Sequence, residues 1–451
     1  MNLPSSTSKT TWIYAVLVLF LVAYAAIRVV NLSQAAQKVK ATADTPAYVR
    51  ISKESVLADK FLAGARPLVF PLFLKLLGND VERVVWAQGV FSIISWSVLA
   101  VSIAYSLQIF FLQFAAFGLT LLLSLNRYII GWDSVLLTES LSLSLMALFL
   151  AGWLWLVRGW RWEKAGFLVV VALLWAFCRD TNAWVLLMIG LFLALLVIPH
   201  VAAKKYLVLS TAFLIIFLLS NLSADLGERW VFPFQNVVGR RILPSVQAVD
   251  YFAGCGMPVS PALLQLKGQY ANGLDRAFYE DPALTDYRAW LYQDGKTCYM
   301  KWLLSRPLES LRAPLSEFNT LISLGNIQPF LFSRSFSPVL PARLEMLLYP
   351  QHYLLILFAL TWGIVLVAVL TKAWTHNKTW WVVLGLNILV LPHYFITWHG
   401  DIMGIYRHVL GVSIQFYLGL WLLVLLGLDS LLALKTIQMR LTNRLSMENV
   451  K

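Results

Sequence analysis

The chain has 451 residues, 59% of them hydrophobic and 13% charged, with a mean hydropathy of +0.70 and a formal net charge of +13. Soluble domains are about 45–50% apolar and about 25% charged, so this composition excludes a chain that covers its surface with polar groups in water. The basic excess does not point to nucleic acid. Lys and Arg lie in short gaps between apolar runs, as in cytoplasmic loops of membrane proteins, rather than on one face.

The apolar runs are continuous rather than alternating, and only helices and closed barrels satisfy their own backbone in lipid. Helices of about 20 residues are therefore expected. The first span is expected at 11–31. Ala23-Tyr24-Ala25 within it resembles a signal-cleavage site, but the run is long for a signal peptide and its leading flank has only Lys9. Residues 32–83 read as a first outer loop. Its stretch Arg66-Pro67-Leu68-Val69-Phe70-Pro71-Leu72-Phe73-Leu74-Lys75-Leu76-Leu77 is apolar but too short to cross, so an interfacial helix is expected there.

Further spans are expected near 84–107, 109–125, 138–157, 165–178, 183–200 and 206–223. Residues 224–350 are polar and rich in Pro and Gly, and read as a small mixed outer domain with helical patches such as 299–305. Spans near 351–371, 380–397 and 408–432 follow. The expected fold is an all-α polytopic membrane protein of about ten transmembrane helices. Its parts are a membrane module (1–223), an extracytoplasmic loop domain (224–350), C-terminal transmembrane helices (351–432) and a cytoplasmic tail (433–451).

Arg158–Lys164, Lys204-Lys205, Lys372–Lys378 and the tail with Lys435, Arg440 and Arg444 are basic, and ten spans put them on the side of the N-terminus, the expected cytoplasmic side. The loop 32–83 disagrees, because it carries eight Lys and Arg yet falls outside. Trp153, Trp155, Trp160 and Trp162 cluster around one loop as interfacial anchors do. The compact loops point to a bacterial inner membrane with both termini cytoplasmic. Cys178 lies in an apolar run, while Cys255 and Cys298 share the outer segment and are candidates for a disulfide in an oxidising compartment. No CxxC or HExxH zinc spacing occurs.

Ionisable residues at span ends are functional candidates by default. Asp44 either acts as a general base or caps a helix starting at Thr45-Pro46. Asp133 and Glu139 flank Thr138 at the start of a span, where a carboxylate also suits the helix dipole. Arg179 and Asp180 lie between two runs and could neutralise each other. Arg407 suits a phosphate through bidentate bonding, with snorkelling as the structural alternative. His399, Asp401 and His408 could help hold a metal, although their spacing matches no recognised site.

In order, these features resemble the C-type glycosyltransferase superfamily, whose members include the dolichyl-phosphate-mannose protein mannosyltransferases and the bacterial aminoarabinose transferases. Asp44 with Tyr48, the Arg66-Pro67 stretch, the Thr138-Glu139 pair and Tyr406-Arg407-His408 carry the resemblance, which covers mainly 12–200 and 393–430. It implies a membrane enzyme that moves a sugar, with inversion, from a polyprenyl-phosphate donor to an acceptor at the outer face. Asp44 would be the base, and Asp133 or Glu139 would orient the acceptor or share a divalent ion. Tyr48, His399 and Asp401 would line the substrate site, and Arg407, with Arg66 or Arg179, would offset the leaving phosphate. Two other readings are a non-catalytic lipid-binding scaffold of the same fold and a transporter or flippase. The absence of an internal repeat speaks against the last.

Overall fold

The computed structural model describes residues 6–198, 203–273, 276–323, 339–351 and 354–448. Parts of the outer segment expected at 224–350 (274–275 and 324–338), of the spans expected at 183–200 and 351–371, and of the tail (449–451) lie outside the described residues.

The first long helix, α1 (Ser6–Ala36), leads into a loop built of three short ones, α2 (Thr45–Lys53), α3 (Asp59–Leu62) and α4 (Val69–Leu76). The last corresponds to the interfacial stretch, and buries Phe70, Pro71 and Leu74 while leaving Leu76 exposed. The Asp80 carboxylate accepts from the backbone N–H groups of Glu82 and Arg83 and so opens α5 (Val81–Ala104). Then come α6 (Phe110–Ser124), α7 (Arg127–Ile130) with a 3₁₀ turn at Gly131–Ser134, α8 (Glu139–Arg158), α9 (Trp162–Ala176), α10 (Asp180–Val197) and α11 (Tyr206–Leu226).

A cap follows, with α12 (Val231–Val237), α13 (Val246–Gly254), α14 (Pro261–Gln265), α15 (Ala277–Glu280), α16 (Thr285–Trp290), α17 (Lys296–Ser305) and α18 (Pro307–Ile322). The chain returns through α19 (Ala342–Leu348), α20 (Leu354–Leu370), α21 (Thr379–Ile388), α22 (Val390–Gly400), α23 (Ile405–His408) and α24 (Leu410–Glu448).

Among the described residues, seven helices are long and apolar enough to cross a membrane, or eight if Phe110–Ser124 and Arg127–Ser134, bent by 52°, form one span. These mark an integral membrane protein. The count is below the expected ten because α9 (15 residues) and α20 (17 residues) are shorter. At 1.5 Å per residue they extend about 22 and about 26 Å, less than the ~30 Å of hydrocarbon. The cap also differs from expectation: it is helical rather than mixed, with no strand among the described residues. Its segments open with helix-start chemistry. Ser245, Ser260 and Asp281 each accept a backbone N–H two or three residues on, and Pro261 and Pro282 follow two of them.

The cap has its own apolar core around Phe252, Phe278, Tyr287, Trp290 and Leu291. Cys255 and Cys298 are disulfide-bonded there, their Cα atoms 6.1 Å apart. In the membrane part, α8 is the most enclosed helix and buries nearly every side chain from Glu139 to Leu156. Its serines are satisfied within the bundle; the Ser144 hydroxyl, for example, donates to the Ser140 carbonyl.

The bundle has two unlike ends. At one, Asp429 accepts from the backbone N–H groups of Gln108 and Ile109, Asn377 donates to the Ser106 carbonyl, and the Trp380 indole donates to Ser430. The short basic connections 158–164 and 372–378 belong to this end. The other end carries the first loop and the cap.

An ion pair between Arg28 and Asp133 lies inside the membrane part. Arg28 of α1, 2% exposed, donates to Asp133 at 2.6 Å, to Ser92 at 2.8 Å and to the Ser124 carbonyl at 3.2 Å. The other Asp133 oxygen accepts from Ser140, and the Asp133 carbonyl accepts from Gln88. This network ties α1, α5, α6 and the start of α8 together. Arg28→Met should lower stability by about 3–5 kcal/mol, because it leaves Asp133 buried without its cation. The double variant Arg28→Met/Asp133→Leu should recover most of that. Thermal unfolding in detergent measures both, and an unchanged midpoint for the single variant would show that the pair stabilises nothing.

Candidate functional site

The first loop is locked onto the entrance of α8. The Lys40 N–H donates to the Ser134 carbonyl at 2.9 Å, and the Leu136 N–H donates to the Lys40 carbonyl at 3.0 Å. The Thr45 hydroxyl adds a bond to the Leu136 carbonyl at 3.1 Å. Asp44 and Glu139, far apart in sequence, are thereby held at the same end of the bundle.

Asp44 precedes α2, with Pro46 in the first turn, yet its side chain makes no capping hydrogen bond. Its carboxylate instead receives Arg66 at 2.6 Å and Arg407 at 2.9 Å, one on each oxygen. Arg407 also lies 3.5 Å from Glu139, which is 3% exposed and receives Arg179 at 3.3 Å. Arg179 in turn bonds the His408 Nδ1 at 2.8 Å, and His408 Nε2 faces Asp401 at 3.8 Å. Tyr48 packs its ring edge-on to Phe70, beneath the Arg66 guanidinium. Of the residues anticipated from sequence, the structure brings together Asp44, Glu139, Arg66, Arg179 and Arg407, with Tyr48 and Asp401 at the margin.

Two anticipated residues fall elsewhere. Asp133 is engaged on both oxygens by Arg28 and Ser140, in the buried network of α1, α5 and α8. His399 holds the cap: its Nε2 bonds the Ser310 carbonyl at 3.0 Å, and Tyr299 donates to its backbone carbonyl. Arg179 and Asp180 do not neutralise each other. Asp180 takes Arg229 on both oxygens at 2.9 and 3.0 Å. Arg229 also reaches the Gly64 carbonyl, close to Gly227, where any side chain would meet the Gly64 and Ala63 carbonyl oxygens. Sequence reasoning missed Arg28, Arg229 and Asn236. Arg28 alone carried a signal, a cation inside an apolar run.

The charges have distinct consequences. Burial raises the Asp44 pKa, but the Arg66 and Arg407 guanidiniums outweigh it and hold the carboxyl below the ordinary aspartate value. Burial, followed by the positive charges of Arg407 and Arg179, pushes His408 well below the usual histidine range, so the ring is neutral at pH 7. Burial raises Asp401, only partly offset by the Met403 N–H and Asn236. Burial also pushes the Tyr48 phenol up to about 12, which keeps it protonated.

Within the cluster, Glu139 Oε2 and Arg66 Nε are buried without a hydrogen-bond partner among the described residues. Buried polar atoms are nearly always paired, so an acceptor and a donor stand open to a polar ligand. Three guanidiniums against two carboxylates favour an anion. The residues do not fit a divalent cation, because guanidiniums already engage both carboxylates. Among the described residues no three His, Cys, Asp or Glu side chains converge as ligands.

No protein-family model matches the chain, and no curated protein matches it. What the arrangement can do is bind an oxyanion beside a carboxylate. Inorganic pyrophosphate or a polyprenyl phosphate should raise the thermal midpoint of the purified protein. Arg407→Ala should weaken that binding about tenfold or more, the equivalent of one charge-assisted hydrogen bond. Undiminished binding by the variant would remove Arg407 from the site.

Proposed function

We propose that this chain is an integral membrane glycosyltransferase that moves a sugar from a polyprenyl-phosphate donor to an acceptor hydroxyl at the outer face of the membrane. The observation that carries the reading is the convergence of Asp44, Arg66, Glu139, Arg179 and Arg407, from five separate segments, at the capped end of the bundle. The resemblance to the C-type glycosyltransferases rests on four of these residues, Asp44, Arg66, Glu139 and Arg407.

In the proposed step, Asp44 takes the acceptor proton as the acceptor oxygen bonds to the anomeric carbon. The bond from that carbon to the lipid-phosphate oxygen breaks, and its electron pair leaves on the phosphate. Attack opposite the leaving group inverts the centre. Arg66, Arg179 and Arg407 stabilise the departing anion, as preorganised donors do where charge develops. Glu139 Oε2 accepts from a substrate hydroxyl.

A cap disulfide suits an oxidising compartment, and short basic connections at the opposite end suit the cytoplasm. Both support a cluster facing outward from a bacterial inner membrane, with both termini inside.

One observation favours a second reading, a lipid-phosphate-binding scaffold: Arg66 and Arg407 already engage both Asp44 oxygens. Transfer from labelled polyprenyl-phosphate sugars separates the two readings. The enzyme reading expects transfer by wild type and a loss of at least about a hundredfold, the usual weight of a general base, in Asp44→Asn. Folded wild type that binds the lipid phosphate but transfers no sugar would favour the scaffold.

The depressed pKa of Asp44 also has a sign. The base is already ionised throughout the neutral range, so kcat/KM should hold level from about pH 7 down to about pH 5. An acid limb inside that window, absent from Asp44→Glu or shifted by it, would mean that burial rather than the arginines governs this carboxyl in the free protein.

A further inference from the structure

The outer cap places one helix lower than a loop domain should sit. Ser310, near the start of α18, receives His399 at the outer end of α22. Four residues on, the Pro314 carbonyl accepts from the Tyr394 hydroxyl at 2.8 Å. Phe318 then packs against Tyr394 and Phe416, with ring centroids 4.9 and 5.8 Å apart. Tyr394 precedes the end of α22 at Gly400 by six positions, and Phe416 follows the start of α24 at Leu410 by six. At 1.5 Å per residue, both lie about 9 Å below the outer ends of their helices. The α18 helix therefore slants down the side of the bundle, against two helices that enter the membrane.

Its inner side, with Pro314 and Leu321, is buried. Its other side carries Leu308 (81% exposed), Leu311 (45%) and Leu315 (48%), and Leu304 (75%) continues the row from α17. Positions 308, 311 and 315 share one helical face. Exposed Lys301 and Arg312 lie along the same stretch, and a long basic side chain among leucines at a membrane surface reaches back to the phosphates.

We propose that α18 lies in the outer-side headgroup layer, with Leu304, Leu308, Leu311 and Leu315 against acyl chains and Lys301 and Arg312 against lipid phosphates. The helix then fastens the cap to the bilayer as well as to α22, whatever reaction the cluster performs. Its packing below the ends of two membrane-entering helices, with basic residues beside the leucines, selects lipid over a protein partner.

The test is spin-label accessibility in liposomes containing an anionic lipid, using the full-length chain in a Cys178→Ser background. Labels go singly at Leu308→Cys, Leu311→Cys and Leu315→Cys, all exposed. References are Ile356→Cys on the apolar flank of α20 and Glu280→Cys on the cap. The proposal expects the ratio of oxygen to water-soluble nickel collisions at 311 and 315 to exceed that at 280 several-fold and to approach that at 356. A ratio like that at 280 would put the stripe in water and overturn the proposal. Low collision with both reagents, as a second copy or another protein would produce, would overturn it equally.

Discussion

A guanidinium that serves two carboxylates holds the capped end of this bundle together. Arg407 bonds Asp44 and lies against Glu139, and those residues come from the first outer loop and the first turn of the most enclosed helix. A carboxylate as buried as Glu139 would be costly without cations beside it, since removing one partner of a buried pair costs about 3–5 kcal/mol. The positions of α2, the starts of α8 and α10, and the turn before α24 are therefore coupled. None can shift far without separating a buried charge from its partner. Arg28 and Asp133 impose the same condition deeper in the bundle, among α1, α5 and α8.

Most of the helices were legible because lipid leaves a continuous apolar run few alternatives. The candidate acids and arginines were legible for a related reason: charge at a span end is expensive and rarely idle. Pairing was not legible. Arg179 and Asp180 are adjacent in sequence, yet successive residues at a helix start point apart, and each finds a partner on another segment. Asp133 and Glu139 looked equivalent from their spacing, but only tertiary packing sends one to Arg28 and the other to Arg179 and Arg407. Arg28 stood in the apolar run at 11–31 and was not singled out.

The basic loop 32–83, which contradicted the orientation rule, becomes intelligible in the fold. Arg66 is held by Asp44, and the Lys75 ammonium donates to the carbonyls of Ser52 and Glu54. Those two cations carry architecture rather than address. The helical cap was missed for another reason. Its helices are short, and their capping residues were read as loop composition.

The network also bears on how a base can sit among arginines. With Arg66 and Arg407 in place, Asp44 is ionised but a weak acceptor, because the same charges that keep it ionised oppose protonation. On the proposed reading, an incoming lipid phosphate competes for those guanidiniums, whose planar fork fits phosphate as it fits carboxylate. Once the guanidiniums turn to the phosphate, their charge is partly neutralised, and the burial of Asp44 is no longer outweighed. The carboxyl then becomes more basic when the donor is seated. On the proposed reading, one exchange of partners both holds the leaving group and readies the base. The pairing that makes Asp44 look inert is then the resting form of the site.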